Sequence, residues 1–204
     1  MLIIGLTGSI GMGKSAAADH FRHRGIAVCD ADAEVHKLYA GAAAPLIEAA
    51  FPGTTGPGGV DRRKLAAAVL NNPAGFKRLE AIVHPLVRAA ERTFLAAEKA
   101  RGARMVVLEI PLLLEIGGER NVDAVVVVSA PPDVQRERVL RRPGMTAEKL
   151  TQILSRQMPD AEKRARAHFV VDTGGTLDET YAQIDVVIEA LQAHTASAYE
   201  RAWT

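Results

Sequence analysis

Five short runs of β-branched and aliphatic residues punctuate the chain: LIIGL at 2–6, IAVC at 26–29, MVVLEI at 105–110, AVVVVS at 124–129 and HFVVD at 168–172. Most are continuously apolar rather than alternating, the pattern of strands buried on both faces. Helix-period segments lie between them, such as Ala16 to His23 and Val134 to Leu140. The last, from Leu177 onward, puts Leu177, Tyr181, Ile184, Ile188 and Leu191 on one face. This alternation predicts an α/β fold with a five-stranded parallel sheet flanked by helices.

One connection is too long for a simple crossover. Residues 30–104 separate the second and third apolar runs, whereas a crossover needs only about a dozen. They contain a Gly/Pro loop, FPGTTGPGG at 51–59, and then helical sequence from Arg62 to about Glu98. A helical lobe at 33–104, mounted on a core of 1–32 and 105–204, is the expected organisation. In RRPGMTAEKL at 141–150, Pro143-Gly144 breaks one helix before Thr146 caps another. A small lid at about 136–160 is expected there.

Composition narrows the setting. Apolar residues make up 48% of 204, enough for a substantial core, and the net charge of +1 suggests neither nucleic acid nor an acidic membrane as partner. The lone cysteine, Cys29, forms no intramolecular disulfide and reads as a small core residue in a reducing compartment. No run reaches the ~20 apolar residues that span a bilayer. The leading LIIGL is too short for a signal-peptide core. A cytoplasmic monomer acting on small molecules is the expectation.

The strongest chemical signal is GSIGMGKS, Gly8 to Ser15, which fits G-x-x-x-x-G-K-[ST] without mismatch between an apolar strand and a helix. Gly8, Gly11 and Gly13 let the backbone curl so that its N–H groups, with those of Met12 to Ala16, converge on phosphate at a helix N-terminus. Lys14 reaches the β- and γ-phosphates, and the Ser15 hydroxyl holds Mg²⁺. A tight strand–helix turn with a solvated lysine is the bland alternative. ATP is the expected co-substrate. None of the three asparagines precedes a lysine, so the N-K-x-D of base-reading GTPases is missing, and so is an L-S-G-G-Q-like transporter signature. A small-molecule kinase gains weight.

Polar residues sit at the ends of the apolar runs, where open α/β sheets bind ligands: Asp30 and Asp32, Glu109, Ser129, Asp172 and Thr173. One aspartate of CDAD can cap the next helix, but capping does not use both. Asp32 is the candidate general base for a hydroxyl acceptor, with Asp30 as support at the mouth of a strand expected beside the P-loop strand. Glu109 occupies a Walker-B-like place and could organise Mg²⁺ through water; a helix N-terminal charge is the alternative. Arg138, Arg141 and Arg142 fall within an arc of ~100° before the Pro-Gly break, a face that either closes on transferring phosphate or is simply solvated. A lone His84 before Pro85 reads from composition as structural, and the other histidines lack ligand spacing.

Taken together, GLTGSIGMGKS, GIAVCDADAEVH, DRRKLAAAV, LEAIVHPLV, EIPLLLE, VVVSAPPDVQRERVLRR and KLTQILSRQMPDAEKRARAHFVVDTGG closely resemble dephospho-CoA kinases, from Leu2 to about Gly175. The P-loop is generic; the D-A-D, H-P and P-L-L-x-E segments together are much more specific. The resemblance implies ATP-dependent phosphorylation of the ribose 3′-hydroxyl of dephospho-CoA, the last step of coenzyme A synthesis. It implies a nucleotide-kinase-like core, a helical CoA-binding domain and a lid. Asp32 matches the family's base, His84 and Pro85 its substrate-domain motif, Arg138 and Arg142 basic lid positions, and Gln157 a polar position downstream. Three residues depart from the pattern: Ala16 replaces Thr, Glu109 replaces Asp, and Thr173 stands where Asn is common. A kinase for another acceptor, of nucleoside monophosphate or shikimate type, would share the P-loop and lid but differ in the insert. A non-catalytic ATP sensor would need neither the acceptor-side carboxylate nor the basic lid.

Overall fold

The computed structural model describes residues 1–70 and 72–204. β1 (Leu2–Thr7) leads through the glycine loop into α1 (Lys14–His23), then β2 (Ala27–Asp30). α2 (Ala31–Ala40), α3 (Ala44–Ala50), β3 (Thr55–Gly56), β4 (Gly59–Val60), α4 (Arg62–Val69) and α5 (Pro73–Ala100) follow. The chain then runs through β5 (Met105–Glu109), a 3₁₀ turn at Gly118–Asn121, β6 (Ala124–Ser129), α6 (Pro132–Leu140), α7 (Ala147–Leu154), α8 (Asp160–Ala165) and β7 (Phe169–Asp172). α9 (Leu177–Leu191) and α10 (Ala198–Ala202) close it.

The five apolar runs form one sheet in the order β2-β5-β1-β6-β7. β1 is central and runs parallel to both neighbours, with Ile4 opposite Val107 on one side and Ala124 on the other. Every residue of β1 and β6 is buried, which explains why neither alternates. One face packs Leu2, Ile4, Leu6, Val126 and Val128 against Phe21 of α1 and Ile184 and Leu191 of α9. β5 lies between β1 and β2, so the strand that ends at Asp30 is not beside the P-loop strand as expected. Chain order does not fix strand order when a long insertion intervenes.

One detail of the helices also differs from expectation. In α9 Ile184 and Leu191 are buried and Tyr181 and Ile188 pack partly buried against the core, as expected, while Leu177 is 57% exposed. Leu177 sits in a first turn fixed by the Thr176–Glu179 capping box. The C-terminal segment is ordered: Trp203 is buried and its indole N–H donates to the Asn121 carbonyl (2.7 Å). Asp123 joins that end to the sheet, accepting from Ile3 N at one oxygen (2.8 Å) and from Ser197 N and Ala198 N at the other (both 2.7 Å).

The chain divides into two compact units, Met1–Cys29 with Leu95–Thr204, and Asp30–Phe94. The end of α5 therefore belongs with the sheet, inside the 33–104 stretch expected for the lobe. The second unit has its own core of Ala43, Ile47, Phe51, Leu65 and Val83. Its Gly/Pro loop carries the short β3–β4 hairpin. In α5, Glu91 is 7% exposed, and burial raises its carboxyl to about 7 despite the pull of Arg88. A carboxyl raised on folding binds more protons in the folded state, so stability is fully present below the unfolded value and falls as pH rises from about 4.5 through about 7. Urea unfolding of Glu91→Gln is expected to remove most of this slope, which amounts to at most about 3 kcal/mol.

Candidate active site

The glycine loop turns out of β1 with Gly11 and Gly13 at φ 79°, a left-handed conformation open to glycine. Gly13 is the N-cap of α1, no side chain caps it, and no acid lies in the first turn. The N–H groups of Lys14, Ser15 and Ala16 are thus the donors a helix leaves unpaired, concentrated where the dipole is positive. Ala16 in place of Thr leaves those donors unchanged. Ser15 is exposed.

Glu109, the last residue of β5, is 3% exposed, and its carboxylate meets the Lys14 ammonium at 2.5 Å and Arg22 at 3.7 Å. Turns rather than a helix follow β5, which removes the helix-charge reading of Glu109. Its first partner is the P-loop lysine. Among the described residues, no three His, Cys, Asp or Glu side chains gather to hold a metal by themselves.

Thr173, one residue past β7, is buried. Its hydroxyl donates toward the Met12 carbonyl (3.0 Å), with the Ser129 carbonyl at 3.2 Å, and Arg138 donates to both the hydroxyl (3.3 Å) and the carbonyl (2.6 Å) of Thr173. The residue is a brace for the loop. Thr173→Val keeps the shape and loses the hydroxyl, leaving the Met12 carbonyl short of a donor at about 1–3 kcal/mol. Calorimetry is expected to show ATP binding weakened severalfold.

The arginine side chains go to different surroundings. Arg138 is turned to Thr173, Arg141 pairs with Glu137, and Arg142 lies past the end of α6 and is exposed. Thr146 caps α7 as expected, accepting from Lys149 N (3.3 Å). Two glutamines hold the loop: Gln135, which nothing in the sequence singled out, donates to the Ile10 carbonyl (2.7 Å), and Gln157, known from the resemblance only as a polar position, accepts from Ile10 N (3.1 Å). Polar residues in polar segments leave no signal of this.

In the helical unit the two aspartates separate their roles. Asp30 is the N-cap of α2, accepting from Ala33 N (3.1 Å), and Asp32, in the first turn, is exposed. His84 and Pro85 lie inside the 28-residue α5, both exposed. Pro85 brings no N–H to the Ala81 carbonyl one turn back. Beside it runs a groove of about 530 Å³, lined by Leu46, Ala50, Arg78, Ile82, Pro85 and Leu86. Cys29 is buried, as expected.

A parallel sheet whose central strand feeds a glycine loop, a lysine and a helix N-terminus is the P-loop kinase fold. The sequence profile described as dephospho-CoA kinase matches residues 2–179. Dephospho-CoA kinase of Mesorhizobium japonicum is 55% identical over 197 residues, 97% of this chain and all of that one. That of Rhodopseudomonas palustris is 58% identical over 190 residues, 93% of this chain and 96% of its own. Among solved structures, dephospho-CoA kinase from Campylobacter jejuni superimposes with a TM-score of 0.70 at 25% identity, covering 93% of this chain and 96% of that one. Shikimate kinase from Acinetobacter baumannii, at 0.55 and 17% identity, covering 95% and 94%, shares the fold. The chain belongs to the dephospho-CoA kinase family.

Proposed function

We propose that this chain transfers the γ-phosphoryl group of ATP to the ribose 3′-hydroxyl of dephospho-CoA, giving coenzyme A and ADP. The observation that carries the reading is the uncapped α1 N-terminus behind a positive-φ glycine loop, with Lys14 held by Glu109, in a chain of this family. The loop amides and Lys14 bind and orient the phosphates. Glu109 keeps Lys14 at the loop, and Arg142 meets transferring phosphate from the lid, about 136–160. Arg138 acts on the same site and also anchors Thr173.

Asp32 takes the proton of the acceptor hydroxyl as the phosphoryl group moves in line. It is exposed and free of the capping duty that Asp30 performs. The helical unit receives the acceptor: His84 and Pro85 mark its site, and the groove beside Pro85 offers apolar walls and the Arg78 guanidinium to the rest of the substrate. Mg²⁺ takes oxygen ligands and is usually completed by water and substrate phosphates. The exposed Ser15 hydroxyl would hold it, with Glu109 reached through water, and the ion would neutralise charge on the phosphates. No helix among the described residues is long and apolar enough to cross a membrane. We place the enzyme in the cytoplasm as a monomer.

ADP release with Mg·ATP tests the reading. Release that depends on dephospho-CoA, and not on adenosine, AMP or shikimate, is expected. Turnover on a rival acceptor alone would replace the substrate.

A further inference from the structure

Lys163 is 0% exposed. Its ammonium meets Glu115 Oε1 at 2.7 Å and the Pro111 carbonyl at 3.4 Å. An ion pair removed from water seldom stabilises a fold more than apolar side chains of the same size would. Here the pair is also incompletely satisfied, because Glu115 Oε2 is buried with no hydrogen-bond partner among the described residues. Stability alone is a poor reason for this arrangement.

Its other contacts lead to the phosphate loop by two routes. The Pro111 carbonyl that receives Lys163 also accepts from the Thr7 hydroxyl (3.1 Å), and Thr7 directly precedes Gly8. Glu115 Oε1 accepts from Met158 N (2.9 Å), and the neighbouring Gln157 accepts from Ile10 N (3.1 Å). The Ile10 carbonyl is held by Gln135 on the opposite side of that residue. Both backbone polar groups of Ile10 are therefore bound by amide side chains, and the position of one of them depends on Glu115.

We propose that the buried Lys163–Glu115 pair is a positioning device for the phosphate site. It fixes the chain at Met158, which sets Gln157 on the Ile10 amide and so holds the P-loop backbone in its phosphate-binding curve. Lys163 and Glu115 touch no reacting atom in this account; they act through Gln157. The proposal rests on the P-loop binding ATP but not on the identity of the acceptor.

The test is ATP affinity by calorimetry without acceptor, with thermal midpoint and kinetics recorded beside it. Gln157→Ala removes only the last link, from a half-exposed side chain, and is expected to raise the Kd for Mg·ATP about 3–10-fold with an unchanged midpoint. Lys163→Met is expected to raise it at least as much, and Lys163→Met/Gln157→Ala no further than Lys163→Met alone. Glu115→Gln, which keeps an oxygen for Met158 N, is expected to bind ATP more tightly than Glu115→Ala. The KM for ATP should follow the Kd while the KM for the acceptor stays put. The proposal is overturned if Gln157→Ala binds ATP like wild type, or if the Lys163 and Gln157 effects multiply. Should Lys163→Met fail to fold, the Gln157 and Glu115 comparisons decide it. A wild-type enzyme that binds ATP but leaves dephospho-CoA untouched would sink the proposed reaction and leave this test intact.

Discussion

Asp32→Asn is expected to lower turnover by about 10²–10⁴-fold, the usual contribution of a general base, while ATP affinity stays close to wild type. The structure separates this loss from a folding effect. Asp30 caps α2 through Ala33 N, and Asp32 sits exposed in the first turn. Removing its charge there costs the helix about 0.3–1 kcal/mol of dipole interaction, too little to unfold it. Asp30→Asn is the matching control: Asn also caps, so α2 should persist and turnover should fall far less. Single-turnover rates with both variants check the assignment. An Asp32→Asn enzyme that keeps most of its turnover would remove that residue from the role of base.

Lys14→Met has the second large effect and acts on two levels. Without the ammonium, phosphate binding loses a charge-assisted contact, and both ATP affinity and turnover are expected to drop about 10²–10³-fold. The change also strips Glu109 of its 2.5 Å partner, leaving a nearly buried carboxylate with Arg22 at 3.7 Å. One-sided removal of a buried ion-pair partner typically costs about 3–5 kcal/mol. Lys14→Met/Glu109→Gln should therefore recover much of the lost thermal stability but none of the activity. If the double variant regains turnover, Lys14 serves mainly as a counterion for Glu109 and the phosphate role is wrong.

Particular residues show how far the sequence reads. The strands were legible because parallel strands buried on both faces need uninterrupted aliphatic runs, and LIIGL and AVVVVS have them. The P-loop was legible because its function is performed by backbone, which dictates glycine spacing. Of the two aspartates at the end of β2, the cap is visible in Asp30, while the duty of Asp32 belongs to the proposed reaction. Strand order was not legible: residues 30–104 erase the adjacency that a short crossover would impose, and β5 came to lie between β1 and β2. Nor was the fate of the arginines. Helical phase places Arg138 on a face, but Thr173, supplied from the end of β7, decides where its guanidinium goes.

The least legible feature is Lys163. In the polar run DAEKRAR it looks solvated, and only the fold brings Glu115 and the Pro111 carbonyl to it. P-L-L-x-E was visible as a motif, but its glutamate had no stated use until that pairing was seen. Thr173 was likewise noted as a departure from a common Asn. Its buried hydroxyl gives it a purpose of its own as a brace on Met12.

Phosphorus NMR of the reaction product reads directly which bond forms. Incubation with Mg·ATP and dephospho-CoA should give one new phosphomonoester resonance coupled to the ribose 3′ proton, in equal amount to ADP. A phosphomonoester on another oxygen, or ADP formed with dephospho-CoA recovered unchanged, would contradict the assignment.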